Sequence, residues 1–157
     1  MKILIMSDTH FRHSYYFGKI VLEHLSNSDM IIHCGDFTSL EFYNFLNSSK
    51  KLVAVKGNND RQLEEILSME AKIELFGFKI AVTHGHLIQN SNLHLKYPDS
   101  DIIITGHEHY PSIENFNKKL IISPGSLTDN RRLEYNSFMV MNLFEGQKPV
   151  VNIMKTK

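Results

Sequence analysis

Seven side chains able to hold a metal ion stand just beyond the ends of strand-like runs in this chain. Asp8 and His10 follow Lys2–Met6, and Asp36 follows Met30–His33. Asn58 follows Leu52–Val55, His84 follows Lys79–Val82, and His107 and His109 follow Asp101–Ile104. One such residue after one strand means little. Five strand ends in register predict ligands gathered at one edge of a sheet, where open α/β folds build their sites. Carboxylate, amide and imidazole donors without paired thiolates suit hard-to-borderline divalent ions. The chemistry this points to is hydrolysis at two metals, with water activated and both entering and leaving oxygens stabilised.

The spacing within each motif carries its own expectation. Asp8 and His10, like His107 and His109, are two apart, so an extended backbone would turn both side chains to one face. Asp36 after Gly35 offers two oxygens, enough to bridge a pair of ions, and Asn58 after Gly57 offers a neutral carbonyl. His86 follows His84 across Gly85, which leaves its direction open; it is a candidate acid. Read singly, Gly35-Asp36 is an ordinary turn dipeptide, and Asp60 reads as the N-cap of a helix starting at Arg61.

These residues need elements to hold them. Ile3–Met6 and Met30–Ile32 are continuous apolar runs, as in strands covered on both faces. Phe17, Ile20, Val21 and Leu25 recur at helical spacing. Thr38-Ser39-Leu40-Glu41 has the form of a capping box opening a second helix over Phe42, Phe45 and Leu46. Leu63, Ile66 and Leu67 suggest a third, short one. The alternation predicts three parallel strands. The second half is hairpin-rich: Ile73–Phe76 with Phe78–Val82 turning at Gly77, Ile113–Phe116 with Leu120–Ser123, and Ser137–Leu143 with Val150–Met154. A short helix is expected at Ser91–Lys96, stopped by Pro98. The expected fold is α/β, two mixed sheets packed as a sandwich flanked by helices. One domain is expected over residues 1–157.

Composition narrows the class. The 157 residues carry 17 basic and 17 acidic side chains, so no electrostatic footprint for nucleic acid or membrane is present. Cys34 is the sole cysteine, which excludes an internal disulfide and fits a reducing compartment. The apolar start is too short for a signal or a span. A cytoplasmic location is expected.

Asp8-Thr9-His10, Gly35-Asp36, Gly57-Asn58-Asn59-Asp60, Thr83-His84-Gly85-His86 and Gly106-His107-Glu108-His109 resemble, in order, the five blocks of the calcineurin-like metallophosphoesterases. Ser123-Pro124-Gly125-Ser126 with Arg131 resembles a late segment of the small prokaryotic phosphodiesterase branch. The resemblance implies a metal-dependent phosphodiesterase whose hydroxide, bridging two ions, attacks phosphorus. It assigns one ion to Asp8, His10, Asp36 and His109, and the other to Asp36, Asn58, His84 and His107. Manganese is the expected metal, with nickel, zinc, iron and cobalt as alternatives. Asp36, Asn58, His86 and Arg131 are the candidate catalytic residues, Arg131 for a phosphate oxygen or else for a surface ion pair.

The chain departs from larger relatives in having Asn59 where they carry an acid His, and Phe11-Arg12-His13 where Gly is common. Phe11, Tyr15, Tyr16 and Phe17 are open between a substrate wall and helix core or an oligomer contact. His33 is expected to support the site from behind, not to bind metal. Two rivals to a small-diester hydrolase are a scaffold of the same fold, as in the retromer subunit, and a nuclease. Intact ligands favour the enzyme, and a nuclease would show basic and aromatic surface. A homo-oligomer is open.

Overall fold

The computed structural model describes residues 1–11, 17–131 and 133–156. β1 (Lys2–Met6), β2 (Met30–His33) and β3 (Lys51–Ala54) pair in parallel, with Ile3 opposite Met30 and Met30 opposite Lys51. Between them run α1 (Lys19–Ser26) and α2 (Leu40–Ser49). β9 (Asn136–Asn142) and β10 (Val150–Thr156) return antiparallel, giving a first sheet of order β10-β9-β1-β2-β3. The second sheet has the order β4-β5-β6-β8-β7, built from β4 (Glu70–Leu75), β5 (Phe78–Thr83), β6 (Ile102–Ile104), β7 (Pro111–Phe116) and β8 (Lys119–Pro124). The expected α/β sandwich of two mixed sheets is what forms.

Each strand splits its apolar residues between two layers because side chains alternate with period two. Ile3, Ile5, Ile32, Ile80, Val82 and Ile104 meet in one core between the sheets. Leu4, Met6, Ile31 and Val140 face the other way, under Val21, Leu25, Phe42 and Leu46 of α1 and α2. That double burial is why these strands read as unbroken apolar runs. Phe11 and Phe17 stack on Phe42 at 4.9 and 5.5 Å, so they belong to this helix layer and not to a substrate wall. Tyr15 and Tyr16 lie outside the described residues. The second sheet's outer face is thinly covered, by α3 (Leu93–Lys96) and Tyr97.

Local expectations are corrected in four places. Ser39, not Thr38, caps α2: its Oγ accepts the Phe42 N–H at 3.2 Å, while Thr38 takes a left-handed φ of 61°. The third helix is a single 3-10 turn, Arg61–Leu63. β4 starts at Glu70, three residues before the apolar run, because Glu70, Lys72 and Glu74 alternate onto its exposed face while Ala71, Ile73 and Leu75 pack on the core. The short helix expected at Ser91–Lys96 is instead a 3-10 turn, Asn90–Asn92, running into four residues of α3. Among the described residues no helix is long and apolar enough to cross a membrane.

His33, at the end of β2, is fully buried and stacks on Phe37 with ring centroids 3.6 Å apart. Its Nδ1 accepts the Gly35 N–H at 3.2 Å, so the proton of the neutral ring sits on Nε2. Nε2 then donates to Thr9 Oγ1 at 3.1 Å, and that hydroxyl donates to the Asp36 carbonyl at 3.4 Å. One imidazole thus ties the loop after β1 to the loop after β2. Burial drives its pKa down to about 3, with Asp8 opposing and His84 and His10 assisting. An unfolded chain would protonate His33 near 6.5, whereas the folded one does not until about 3. Its contribution to stability is therefore complete above pH 6.5 and erodes as pH falls toward 3, by up to about 1.4 kcal/mol per unit. Urea titrations of metal-free protein between pH 6.5 and 4 should show a shallower loss for His33→Gln than for wild type. Parallel profiles would mean that His33 does not enter the fold as a neutral ring.

Candidate metal centre

The parallel strands point one set of ends at the same place, and five loops meet there. None of the paired ligand motifs is extended. Asp8, His10, Asp36, His107 and His109 all have left-handed φ, at 51°, 48°, 59°, 73° and 59°. The face-sharing of an extended i, i+2 pair is thus not how Asp8 and His10, or His107 and His109, reach inward. The chain coils tightly at each strand end and throws the side chains over the sheet edge. Such conformations cost of order 1–3 kcal/mol each and persist where surroundings enforce them. Backbone contact enforces them here. A Cβ on Gly57 would collide with the Asp36 carboxylate and its backbone N, and one on Gly106 with the Ser7 hydroxyl.

At the centre is the carboxylate of Asp8, fully buried. Its Oδ2 accepts from Ser7 Oγ at 2.5 Å and from the His107 N–H at 2.9 Å. Its Oδ1 is buried without a hydrogen-bond donor. Around that oxygen stand His109 Nε2 at 3.2 Å and the Nε2 atoms of His10 and His84 at 3.9 Å each. Asp36 Oδ2 lies 3.8 Å from His10 Nε2 and 3.6 Å from His84 Nε2. Two donor triads result, Asp8-His10-His109 and Asp8-Asp36-His84, each within 4.8 Å. Asn58 Oδ1 adds a further oxygen 3.2 Å from His84 Nε2. His107 belongs to neither triad; its ring centroid is 5.2 Å from that of His84.

Tautomers sharpen the picture. His84 Nδ1 donates to the Cys34 carbonyl at 2.7 Å, and His109 Nδ1 to the Asp129 carbonyl at 2.8 Å. When neutral, both rings therefore turn an Nε2 lone pair inward. Lone pairs of nitrogen and oxygen face one another with few protons between them, an arrangement that a cation satisfies. Without one, protons take its part. Burial pulls the His109 imidazolium down, but Asp8 and the Asp129 carbonyl outweigh it and raise its pKa. Burial likewise pushes Asp8 up, and His109, His84 and Ser7 bring it below the usual carboxylate range. The residues fit divalent ions.

Three supports have no counterpart among the sequence expectations. Asp60 does not cap the turn that follows it; its carboxylate accepts the N–H groups of Asp36 at 2.7 Å, Gly57 at 2.8 Å and Thr38 at 2.8 Å, clamping the loop of Asp36 to that of Asn58. Burial raises its pKa against those three donors. Asn59 donates to both oxygens of Asp36, from its backbone N–H at 2.8 Å and its amide at 2.6 Å. Ser126 Oγ donates to the Asp8 carbonyl at 2.6 Å and accepts from the Thr128 and Asp129 N–H groups. Asn59, Asp60 and Ser126 lay inside motifs already noted, which was the available signal; Ser7, a further support through Asp8, offered none.

Two clefts flank the cluster. One, of about 250 Å³, is lined by Lys56, Asn58, Arg61 and His86. His86 turns toward the site, its ring centroid 5.3 Å from His84, and its buried Nδ1 lacks a partner. Burial, with His84 and His107, lowers its pKa. The other, of about 340 Å³, is lined by His109, Tyr110 and Arg131. Arg131 is exposed, and its N–H donates to Asp129 Oδ1 at 3.2 Å.

Residues 1–146 match the calcineurin-like phosphoesterase superfamily domain. A probable metallophosphoesterase of Methanocaldococcus jannaschii is 36% identical over 137 residues, covering 82% of this chain and 69% of its own. A phosphodiesterase of the same organism is 33% identical, covering 80% of this chain and 83% of its own. Among solved structures, an archaeal phosphodiesterase superposes with a TM-score of 0.73 at 25% identity, covering 98% of this chain and all of its own. Zinc-bound Vps29 from Entamoeba histolytica reaches 0.81 at 23%, covering 99% of each chain, a likeness of fold. With this match over nearly its whole length, the chain belongs to the calcineurin-like phosphoesterase superfamily.

Proposed function

We propose that this chain is a phosphodiesterase working with two divalent metal ions, manganese foremost. The carrying observation is the buried, donor-less Oδ1 of Asp8 among inward-facing imidazole nitrogens. Asp8, His10, Asp36 and His109 would hold one ion, and Asp36, Asn58, His84 and His107 the other. When bound, such ions supply an activated water and offset charge on the phosphoryl oxygens. The side chains do the rest. Asn59 and Asp60 fix Asp36 from two sides, and the Cys34 and Asp129 carbonyls keep His84 and His109 in the ligating tautomer. His86 and Arg131 line the two clefts where the arms of a diester would leave the centre, Arg131 placed to meet a phosphate oxygen. Residues 1–157 act as one domain on a small soluble diester. The competing reading is a scaffold of the same fold; the likeness to Vps29 is one of fold alone.

Metal content tests the two-ion assignment and diester turnover separates the two readings, since Vps29 also binds zinc. Reconstituted protein should approach two ions per chain, and Asp36→Asn should cost both, with activity down more than about 100-fold. Saturation at one ion, or near-normal metal and rate in Asp36→Asn, would refute the bridging role.

Substrate preference follows from position 59. An alkoxide leaving from a monoester needs a proton, and general acid catalysis contributes about 10²–10⁴-fold. Asn59 cannot supply it, and its amide is committed to Asp36. Nitrophenolate departs without a proton, and two divalent ions less Asp8, Asp36 and a hydroxide would leave about one net positive charge. That charge suits a diester monoanion better than a monoester dianion. Catalytic efficiency, kcat/KM, should therefore be higher for bis(p-nitrophenyl) phosphate than for p-nitrophenyl phosphate. A wild-type enzyme faster on the monoester, with that rate collapsing in His86→Ala, would overturn the assignment.

A further inference from the structure

At the pole opposite the ligands the two sheets part around a cavity of about 830 Å³. β5 runs from Phe78 in its wall to Thr83 beside His84, so about 20 Å separates the two places. The size lies within the range of small-molecule sites, about 300–1,000 Å³. Its inner wall is Phe78, Ile102, Leu120 and Val151, all continuous with the core between the sheets. Its rim carries two exposed apolar side chains, Ile113 at 39% and Val150 at 49%. An apolar slot that opens from a core onto exposed aliphatic residues is a place for a chain-like apolar group.

The mouth supplies the other half of the ligand. Lys118 stands in the tight β7–β8 turn, where Asn117 and Lys118 have φ of 48° and 65°, and Lys148 stands in the β9–β10 connection of the facing sheet. Among the described residues neither ammonium has an ion-pair partner. The one acid in the lining, Asp101, accepts the Lys79 N–H at 2.8 Å. Two cations, one from each sheet, thus face an opening whose single carboxylate is held by a backbone N–H, leaving a net positive lining. Pro149, at the entry to the edge strand β10, lacks the N–H that an added strand would need, which disfavours an extended peptide there.

We propose that this cavity binds a free fatty-acid-type carboxylate, its chain between the sheets and its head met by Lys118 and Lys148. The site is separate from the metal centre and does not depend on the function assigned to it. Calorimetric titration of the metal-loaded full chain with dodecanoate, below its micelle concentration, tests it. Binding should weaken about fourfold for each methylene removed, so decanoate should bind roughly fifteenfold less tightly. Lys118→Glu with Lys148→Glu should weaken dodecanoate at least about tenfold, and Val150→Trp should block it, both with unchanged circular dichroism. Asp36→Asn should bind dodecanoate like wild type. Equal binding of dodecanol, full binding by the charge-reversed or Trp variants, or no binding at all would overturn the proposal. So would co-sedimentation with phosphatidylglycerol vesicles without binding of free dodecanoate, which would place the anionic partner in a membrane.

Discussion

A buried carboxylate oxygen faced by imidazole nitrogens and by no backbone or hydroxyl donor is the constraint around which this molecule is arranged. Leaving such a group unsatisfied is costly, and Asp8 Oδ1 is held in that condition by everything near it. Ser7 and the His107 backbone occupy its other oxygen, which fixes the rotamer. Ser126 grips its carbonyl from the far side of the sheet edge. Imidazole nitrogens surround it with their outward positions already bonded to carbonyls. The same feature explains the crowding of the loops. Backbones must nearly touch for four or more donors to reach one small volume, and Gly57 and Gly106 are the points at which they do.

The sandwich makes this affordable because β1 and β2 are covered on both faces and the ligand-bearing strands end together. The inter-sheet core and the helix layer fix where β1, β2, β3, β5 and β6 stop. Left-handed turns at Asp8, His10, Asp36, His107 and His109 then cost local energy that the packed strands absorb. Asp60 is the clearest case of that division of labour: a buried acid whose three backbone donors join two loops that share no strand pairing of their own.

Much of this could be read from residue order. Apolar runs bounded by glycine, asparagine or aspartate gave the strands, and the donors at their ends gave the centre, because residue type and place coincide there. What could not be read has physical reasons. Asp and His tolerate left-handed backbone, so nothing in Asp8-Thr9-His10 distinguishes a coil from an extended pair. Thr38 and Ser39 are both capping residues, and only the turn of the chain decides between them. Asp60 looks like a helix cap because it would be one if three backbone donors from elsewhere did not claim it. The charged start of β4, Glu70 to Lys72, hides a strand whose one open edge faces solvent.

β1 lies between β2 and β9, with Leu4 opposite both Ile31 and Val140. β1 is therefore completed by a strand more than a hundred residues further along the chain. At about 5–20 residues per second, the β1 edge waits on the order of ten seconds for residues 136–142 to emerge. During that interval the nascent chain carries an open, wholly apolar strand edge, Ile3 to Met6, next to a finished β-α-β unit. The interval between the emergence of β1 and that of β9 is the one a chaperone would have to cover.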